Sequence, residues 1–115
     1  MITKGIRGAI LVEENTSEAI GSATIKLLKE IMKKNNIETN LISHVIFSLT
    51  SDLNADFPAK YARINLKWRE VPMLCFNEIN VPNSLKRCLR VLVVVNCRED
   101  FEPEFIYIGG AEVLR

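Results

Sequence analysis

Several cationic side chains stand in segments of this sequence that are otherwise apolar. Arg90 precedes the apolar run 91–95, and Arg7 interrupts the apolar start of the chain. Guanidinium groups are rarely buried unless an anion meets them, and Glu78 is the only acid in the stretch 71–81. Because the forked donors of arginine suit carboxylates and phosphates, the sequence predicts that an anionic ligand supplies the missing negative charge.

Further cations stand in two other places. Lys60 and Arg63 follow the sequence Phe57-Pro58-Ala59, and Arg115 ends a segment, 112–115, that reads as a strand. Taken alone, Lys60 and Arg63 would most simply be the exposed face of a short helix, because long cationic side chains reach solvent easily. Only a further pattern can decide whether they serve a ligand.

The composition limits the class of protein. A chain of 115 residues with 48% hydrophobic and 25% charged residues is predicted to be one globular domain, 1–115, and not a disordered segment. The formal net charge is only +1, so no overall basic field would recruit nucleic acid, and the aromatic content is 7%. Any anion site must therefore be built by local clustering, and a nucleic-acid-binding module is a remote alternative.

The cysteines and the histidine argue against a metal site. Cys75, Cys88 and Cys97 lack CxxC spacing, and His44 is the only histidine. No apolar stretch near the N-terminus resembles a signal peptide, and the run 91–95 is too short to span a bilayer. We expect a reduced, soluble, cytoplasmic protein without a metal or cofactor and without a membrane partner.

One long amphipathic helix is predicted from about residue 15 to about Lys34. Asn15 followed by Glu18 has the spacing of a capping box, and Asn35-Asn36 should stop the helix. Between these points apolar residues recur at helical spacing: Ile20, Ala23, Leu27 and Ile31. A second, short helix should begin at Pro58, because proline suits the first helical turn.

The remaining chain predicts strands. Residues 82–86 indicate a turn or a short helix, and the strand segments are approximately Lys4–Ala9, His44–Leu49, Met73–Glu78, Cys88–Asn96 and Phe105–Ile108. This arrangement predicts an α+β domain with a single mixed β-sheet, one long helix and one or two short helices. The strand at 89–95 is apolar on both faces, so the face that the long helix leaves open is a candidate subunit interface.

Four segments of the sequence form one ordered pattern: Ile6-Arg7-Gly8-Ala9, Asp52-Leu53-x-Ala55-x-Phe57-Pro58-Ala59-Lys60-x-x-Arg63, Val71-Pro72-x-x-Cys75-x-x-Glu78 and Leu85-Lys86-x-Cys88-x-Arg90-Val91. Tyr107 and the terminal Val113-Leu114-Arg115 extend the pattern over essentially the whole chain. In this order and spacing the segments resemble the AroH-class monofunctional chorismate mutases.

The resemblance implies a fold and an activity. Members of this family convert chorismate to prephenate in aromatic amino acid biosynthesis, as homotrimers that form a pseudo-α/β-barrel with active sites between subunits. The reaction is an intramolecular Claisen rearrangement, which requires no metal, cofactor or covalent intermediate. The substrate carries two carboxylates, an ether oxygen and a ring hydroxyl, so the family's ligand matches the surplus of cations.

The resemblance also implies roles for particular residues. Arg90 would stabilise negative charge on the ether oxygen, and Glu78 and Cys75 would contact the ring hydroxyl. Arg7 and Tyr107 would bind the side-chain carboxylate. Leu74 stands where threonine is common in the family, so a hydroxyl contact is lost there. Residues expected from the neighbouring subunit are Phe57, Ala59, Lys60, Arg63, Leu114 and Arg115.

Two points stay open in the sequence. On a regular strand Cys75 and Glu78 point to opposite faces, so we expect the strand to bulge or end between them, or Cys75 to contribute its backbone. The alternative function is a non-catalytic trimer that binds small carboxylates between subunits. The joint presence of Arg90, Glu78 and Cys75 at the family's spacing favours the enzyme.

Overall fold

The structure, a computed structural model, describes residues 1–115 as five strands and two helices. Their bounds are β1 Ile2–Leu11, α1 Ser17–Asn35, β2 Ile42–Leu49, α2 Pro58–Asn65, β3 Met73–Asn77, β4 Cys88–Cys97 and β5 Ile106–Ile108. Two 3₁₀ turns, Thr39–Leu41 and Glu112–Leu114, complete the chain.

The strands form one mixed sheet in the order β3-β2-β4-β1-β5. The pairs β1–β5 and β2–β3 are parallel, whereas β4 is antiparallel to both of its neighbours. The α+β class and the single mixed sheet predicted from the sequence are therefore confirmed. β4, which begins with Cys88 and carries Arg90, lies at the centre of the sheet.

Both helices lie on the same face of the sheet. The main core is built from one side of each strand, where Ile6, Phe47 and Val93 are fully enclosed, and from the apolar side of α1. On β4 the alternate residues Leu92 and Val94 are only half-buried, because no helix covers the other face. We call this second side the open face.

The long helix begins one residue later than the capping pattern predicted. Thr16 is the N-cap: its backbone is extended and its side-chain oxygen accepts a hydrogen bond from the Ala19 N–H at 3.1 Å. Asn15 does not cap because its side-chain oxygen instead accepts hydrogen bonds from the backbone N–H groups of Asn54 and Ala55. The helix ends where predicted, with Asn36 in the left-handed conformation at its C-cap.

Two other segments refine or correct the sequence expectations. Residues 82–86 form a turn, which was one of the two expected forms. The end of the chain was predicted to be extended, and this was wrong. After Gly109 and Gly110, both with positive φ, the chain folds back into the 3₁₀ turn Glu112–Leu114, held by the hydrogen bond from Leu114 N to Ala111 O.

Candidate functional site

Arg7, Arg90 and Tyr107 surround one cavity on the open face. Ala9 on β1 pairs in register with Arg90 on β4 and with Tyr107 on β5, and Arg7 precedes Ala9 by two residues. Residues paired in register, and residues two apart on a strand, point to the same face, so the three side chains converge. The cavity has a volume of about 270 Å³, and Leu114 closes one side of it.

Glu78 enters the same cluster from the other half of the sheet. Its backbone N–H donates to the Leu49 carbonyl at 2.8 Å, which carries the pairing of β2 and β3 one residue past the end of β3. Its carboxylate oxygen Oε1 accepts a hydrogen bond from Ser48 Oγ at 2.5 Å and lies 3.5 Å from Arg90 Nε. The side chains of Arg90 and Glu78 are 45% and 30% exposed, so both can still meet a ligand.

Arg7 has an aromatic neighbour and no acidic one. Its guanidinium carbon lies 4.6 Å from the centre of the Phe105 ring, and it takes part in no ion pair. Tyr107 is 6% exposed and packs in a small apolar cluster with Ala9, Cys88 and Ala111. The two groups expected to bind a carboxylate are thus held by apolar contacts, and the Arg7 charge is free of any internal anion.

Cys75 lies on the opposite side of the sheet from this cavity. It pairs in register with Phe47, which is enclosed in the core, whereas Ser48 pairs with Arg90 on the open face. Consecutive strand residues alternate between faces, so Cys75 points toward the helices. Burial raises the pKa of the Cys75 thiol, although the nearby backbone of Ala59 and the guanidinium of Arg63 oppose this shift.

A second cavity lies beside Cys75. It has a volume of about 320 Å³ at the sheet edge formed by β3, where Phe57 precedes α2, and Cys75 and Phe57 both line it. Phe57 is 67% exposed, whereas Ala59 is buried. Ala59, Lys60 and Arg63 follow on α2, so this group of expected ligand contacts is carried by one helix and one strand.

Lys60 is already paired with an acid. Asp56 Oδ2 accepts hydrogen bonds from Lys60 Nζ at 3.1 Å and from Tyr61 Oη at 2.9 Å, while Oδ1 accepts from the Phe57 N–H at 2.8 Å. The bond from the Phe57 N–H, followed by those from Lys60 and Tyr61, lowers the pKa of Asp56 to about 2. The same bond from Lys60 raises the pKa of Lys60 above its ordinary value.

The remaining expected contacts, Leu74, Leu114 and Arg115, lie in different parts of the chain. Leu74 is 63% exposed and pairs with Ile46, so it lies on the open face. Leu114 lines the cavity of its own chain, whereas we expected the neighbouring subunit to supply it. Arg115 is exposed at the end of the 3₁₀ turn and forms no ion pair.

The structure therefore sorts the expected site residues into two groups. β3 does end between Cys75 and Glu78, at Asn77, but the pairing with β2 is unbroken and continues through the hydrogen bond from Glu78 N to Leu49 O. The two side chains therefore leave the sheet on opposite faces and do not converge within one chain. The open-face group is Arg7, Leu74, Glu78, Arg90, Tyr107 and Leu114, and Arg115, exposed at the end of the chain, belongs to neither group. The helix-side group is Phe57, Ala59, Lys60, Arg63 and Cys75.

Three residues that contact members of these groups were missed in the sequence. Asp56 could have been found, because it stands four residues before Lys60, a spacing at which opposite charges pair on a helix. Ser48 and Phe105 carry no such local signal. Their partners, Glu78 and Arg7, are distant in sequence and are brought near by strand register alone.

Neither a metal centre nor a membrane-spanning helix is found among these elements. No three His, Cys, Asp or Glu side chains are grouped so that they could hold a metal ion. Neither helix has the length and apolar character needed to cross a bilayer.

Comparison with known proteins identifies close relatives. A family model described as chorismate mutase type I matches residues 3–115. Chorismate mutase AroH of Bacillus subtilis is 40% identical over 116 residues, covering 100% of this chain and 91% of the relative. Chorismate mutase AroH of Thermus thermophilus is 45% identical over 96 residues, covering 83% and 78%. The structure of a chorismate mutase from Clostridium thermocellum is similar with a TM-score of 0.91 and 43% identity, over 96% of this chain and 98% of that chain.

Proposed function

The chain belongs to the type I chorismate mutase family, and on that premise we propose how its residues divide the work of catalysis. The protein is an isomerase that converts chorismate to prephenate. Because the rearrangement is intramolecular, the enzyme has to hold a folded, near-reactive conformer and stabilise the charge that separates as the ether C–O bond breaks.

Arg90 acts on the breaking bond. Its guanidinium lines the open-face cavity and its one ion pair, to Glu78, is long at 3.5 Å, so donors remain available to an oxygen atom that gains negative charge. One preorganised donor of this kind contributes roughly 3–4 kcal/mol to lowering the barrier. Rate enhancements by enzymes require at least about 8 kcal/mol, so Arg90 needs help from conformer selection.

The other open-face residues bind the rest of the substrate. Arg7 and Tyr107 bind the side-chain carboxylate, and the absence of an acid beside Arg7 leaves its full charge for that anion. Glu78 accepts a hydrogen bond from the ring hydroxyl and lies near the ring as it becomes relatively positive. The cluster of Arg7, Arg90 and Tyr107 around one cavity is the observation that carries this assignment.

The complete active site is formed between two subunits of a homotrimer. Cys75 and the α2 residues lie on the other side of the sheet from Arg90, so one chain cannot present both groups to one substrate molecule. A neighbouring chain can supply the helix-side group if its α2 and β3 edge meets the open face. Leu74 and Phe76, which are 63% and 51% exposed on that face, are apolar surface that such an interface would bury.

A mixing experiment tests the divided site. Arg90→Ala damages the open-face group and Arg63→Ala damages the helix-side group, and each variant alone should be impaired. In randomly mixed trimers about one quarter of the sites would join an intact open face from one variant to an intact helix side from the other. The mutase activity of the mixed trimers should therefore rise toward about a quarter of the wild-type activity. It is measured as chorismate loss by ultraviolet absorbance at low substrate concentration.

A second mixture, of two variants damaged on the same surface, shows whether mixing alone restores activity. Arg90→Ala and Glu78→Ala both damage the open-face group, so mixing them should restore nothing. Recovery in neither mixture, or a fully active monomer in sedimentation, would contradict the shared site. An absence of mutase activity in the wild-type trimer would favour the alternative function, a carboxylate-binding protein.

The cytoplasm is the proposed location. Cys75, Cys88 and Cys97 are all free thiols in the structure, which suits a reducing compartment. Cell fractionation with an antibody against the protein tests this directly.

A further inference from the structure

We propose that Ser48 is a positioning residue that keeps the Glu78 carboxylate from closing onto Arg90. The inference rests on the proposed function, because it concerns how two residues of that site are held apart. It starts from the hydrogen bond in which Ser48 Oγ donates to Glu78 Oε1 at 2.5 Å.

The strand register places Ser48 between the two charges. Ser48 on β2 pairs directly with Arg90 on β4 and, on its other side, with Phe76 on β3, two residues before Glu78. All of these side chains leave the sheet on the open face. Ser48 also lines the cavity with Arg7, Arg90 and Tyr107, so its hydroxyl acts within the site.

The Arg90–Glu78 pair is loose for two groups so close together. Arginine and carboxylate commonly form two parallel hydrogen bonds of about 2.7–2.9 Å. Here the two groups make a single contact, from Nε to Oε1 at 3.5 Å, and the same Oε1 accepts the hydrogen bond from Ser48 Oγ. The hydroxyl thus takes one acceptor position of Oε1 and fixes the orientation of the carboxylate, and Oε2 is left without a protein partner.

This arrangement has a catalytic consequence. A closed, forked pair would turn two of the Arg90 N–H donors toward Glu78 and away from the ether oxygen, and it would also withdraw Oε2 from the ring hydroxyl. By holding Oε1, Ser48 keeps both groups available to the substrate before it arrives. Preorganised donors need no rearrangement when the charge develops, so the loss of Ser48 should appear mainly in kcat.

Ser48→Ala is the direct test. We expect kcat to fall about tenfold, equivalent to about 1.4 kcal/mol of barrier, with a smaller change in KM. Ser48→Thr keeps the hydroxyl and should recover most of kcat. Ser43→Ala is the matched control, because Ser43 lies on the same strand and its hydroxyl contacts only the ring nitrogen Nδ1 of His44, at 3.0 Å.

A double-mutant cycle separates positioning from packing. If Ser48 acts through Glu78, Ser48→Ala should cost nothing further in a Glu78→Ala background. A structure of the Ser48→Ala protein should show two short contacts between Glu78 and Arg90 in place of the single one at 3.5 Å. Melting temperatures of all variants show whether each is folded.

The outcomes are distinguishable. Normal kcat in Glu78→Ala would overturn the proposed role of Glu78 and this inference with it. Impaired Glu78→Ala together with normal Ser48→Ala, or additive losses in the double variant, would overturn the Ser48 inference alone. A Ser48→Ala structure with an unchanged Arg90–Glu78 separation would also overturn it.

Discussion

Cys75 and Arg90 project from opposite faces of the same β-sheet. Their register partners, Phe47 and Ser48, are consecutive residues of β2, which fixes this opposition irrespective of side-chain rotamers. The residues proposed for the active site therefore lie on two surfaces of this chain. A change of one residue can damage one surface and leave the other intact.

Arg90→Lys should lower kcat by at least about ten- to a hundredfold, about 1.4–2.8 kcal/mol of barrier. Lysine keeps the charge but replaces a planar fork of donors with a flexible point charge. Thermal unfolding should change little, because the Arg90 side chain is 45% exposed. Steady-state kinetics that gave a normal kcat with a raised KM would show that Arg90 merely anchors a carboxylate.

Glu78→Ala should weaken catalysis strongly, whereas Cys88→Ala should act only through packing. Cys88 is 1% exposed and lies in the small apolar cluster behind Tyr107, so its truncation should lower the melting temperature more than it lowers kcat/KM. Kinetics and thermal unfolding of both variants provide the comparison. Equal losses of kcat/KM in two equally folded proteins would mean that one of the two roles is misassigned.

Phe105→Leu should raise KM several-fold, with a smaller effect on kcat. The Phe105 ring lies 4.6 Å from the Arg7 guanidinium carbon, and such contacts contribute about 0.5–1 kcal/mol at exposed sites. Without the ring, Arg7 should lose orientation toward the substrate carboxylate. Phe105→Tyr keeps an aromatic face and serves as the control, so a raised KM in both variants would point to packing instead.

Asp56→Asn should remove a pH-dependent part of the free energy of unfolding. The pKa of Asp56 is lowered from 3.8 to about 2 in the folded protein, so this carboxylate contributes stability above about pH 4 and loses it as the pH falls toward 2. Urea unfolding at several pH values should show a wild-type advantage that shrinks over this range. Asp100→Asn is the control, because the Arg98–Asp100 pair is largely exposed and should matter little. The titration of Asp56 falls between about pH 5 and about pH 2. A wild-type advantage that stayed constant over this range would contradict the assignment.

Much of the fold could be predicted because it depends on local patterns. The helical spacing of Ile20, Leu27 and Ile31 predicted α1, and Pro58 marked the start of α2. The capping residue was missed by one position, since Asn15 and Thr16 can both cap a helix. The Asn15 side chain instead accepts a hydrogen bond from Asn54 N in a distant loop, so Thr16 is the cap. The 3₁₀ turn at the end of the chain was missed because Val113 and Leu114 have strand propensity, and the chain reversal at Gly109-Gly110 overrides it.

The sequence by itself determined which residue types are available for the chemistry. It indicated Arg7, Glu78, Arg90 and Tyr107 as candidate site residues, and the structure places all four on the open face. What it could not determine is which side chains share a face across strands. The hydrogen bond from Ser48 to Glu78 spans 30 positions of sequence, and the contact of Arg7 with Phe105 joins opposite ends of the chain. Such contacts follow from strand order and register, which are set by the packing of the whole sheet against α1 and α2, so only the tertiary structure decides them.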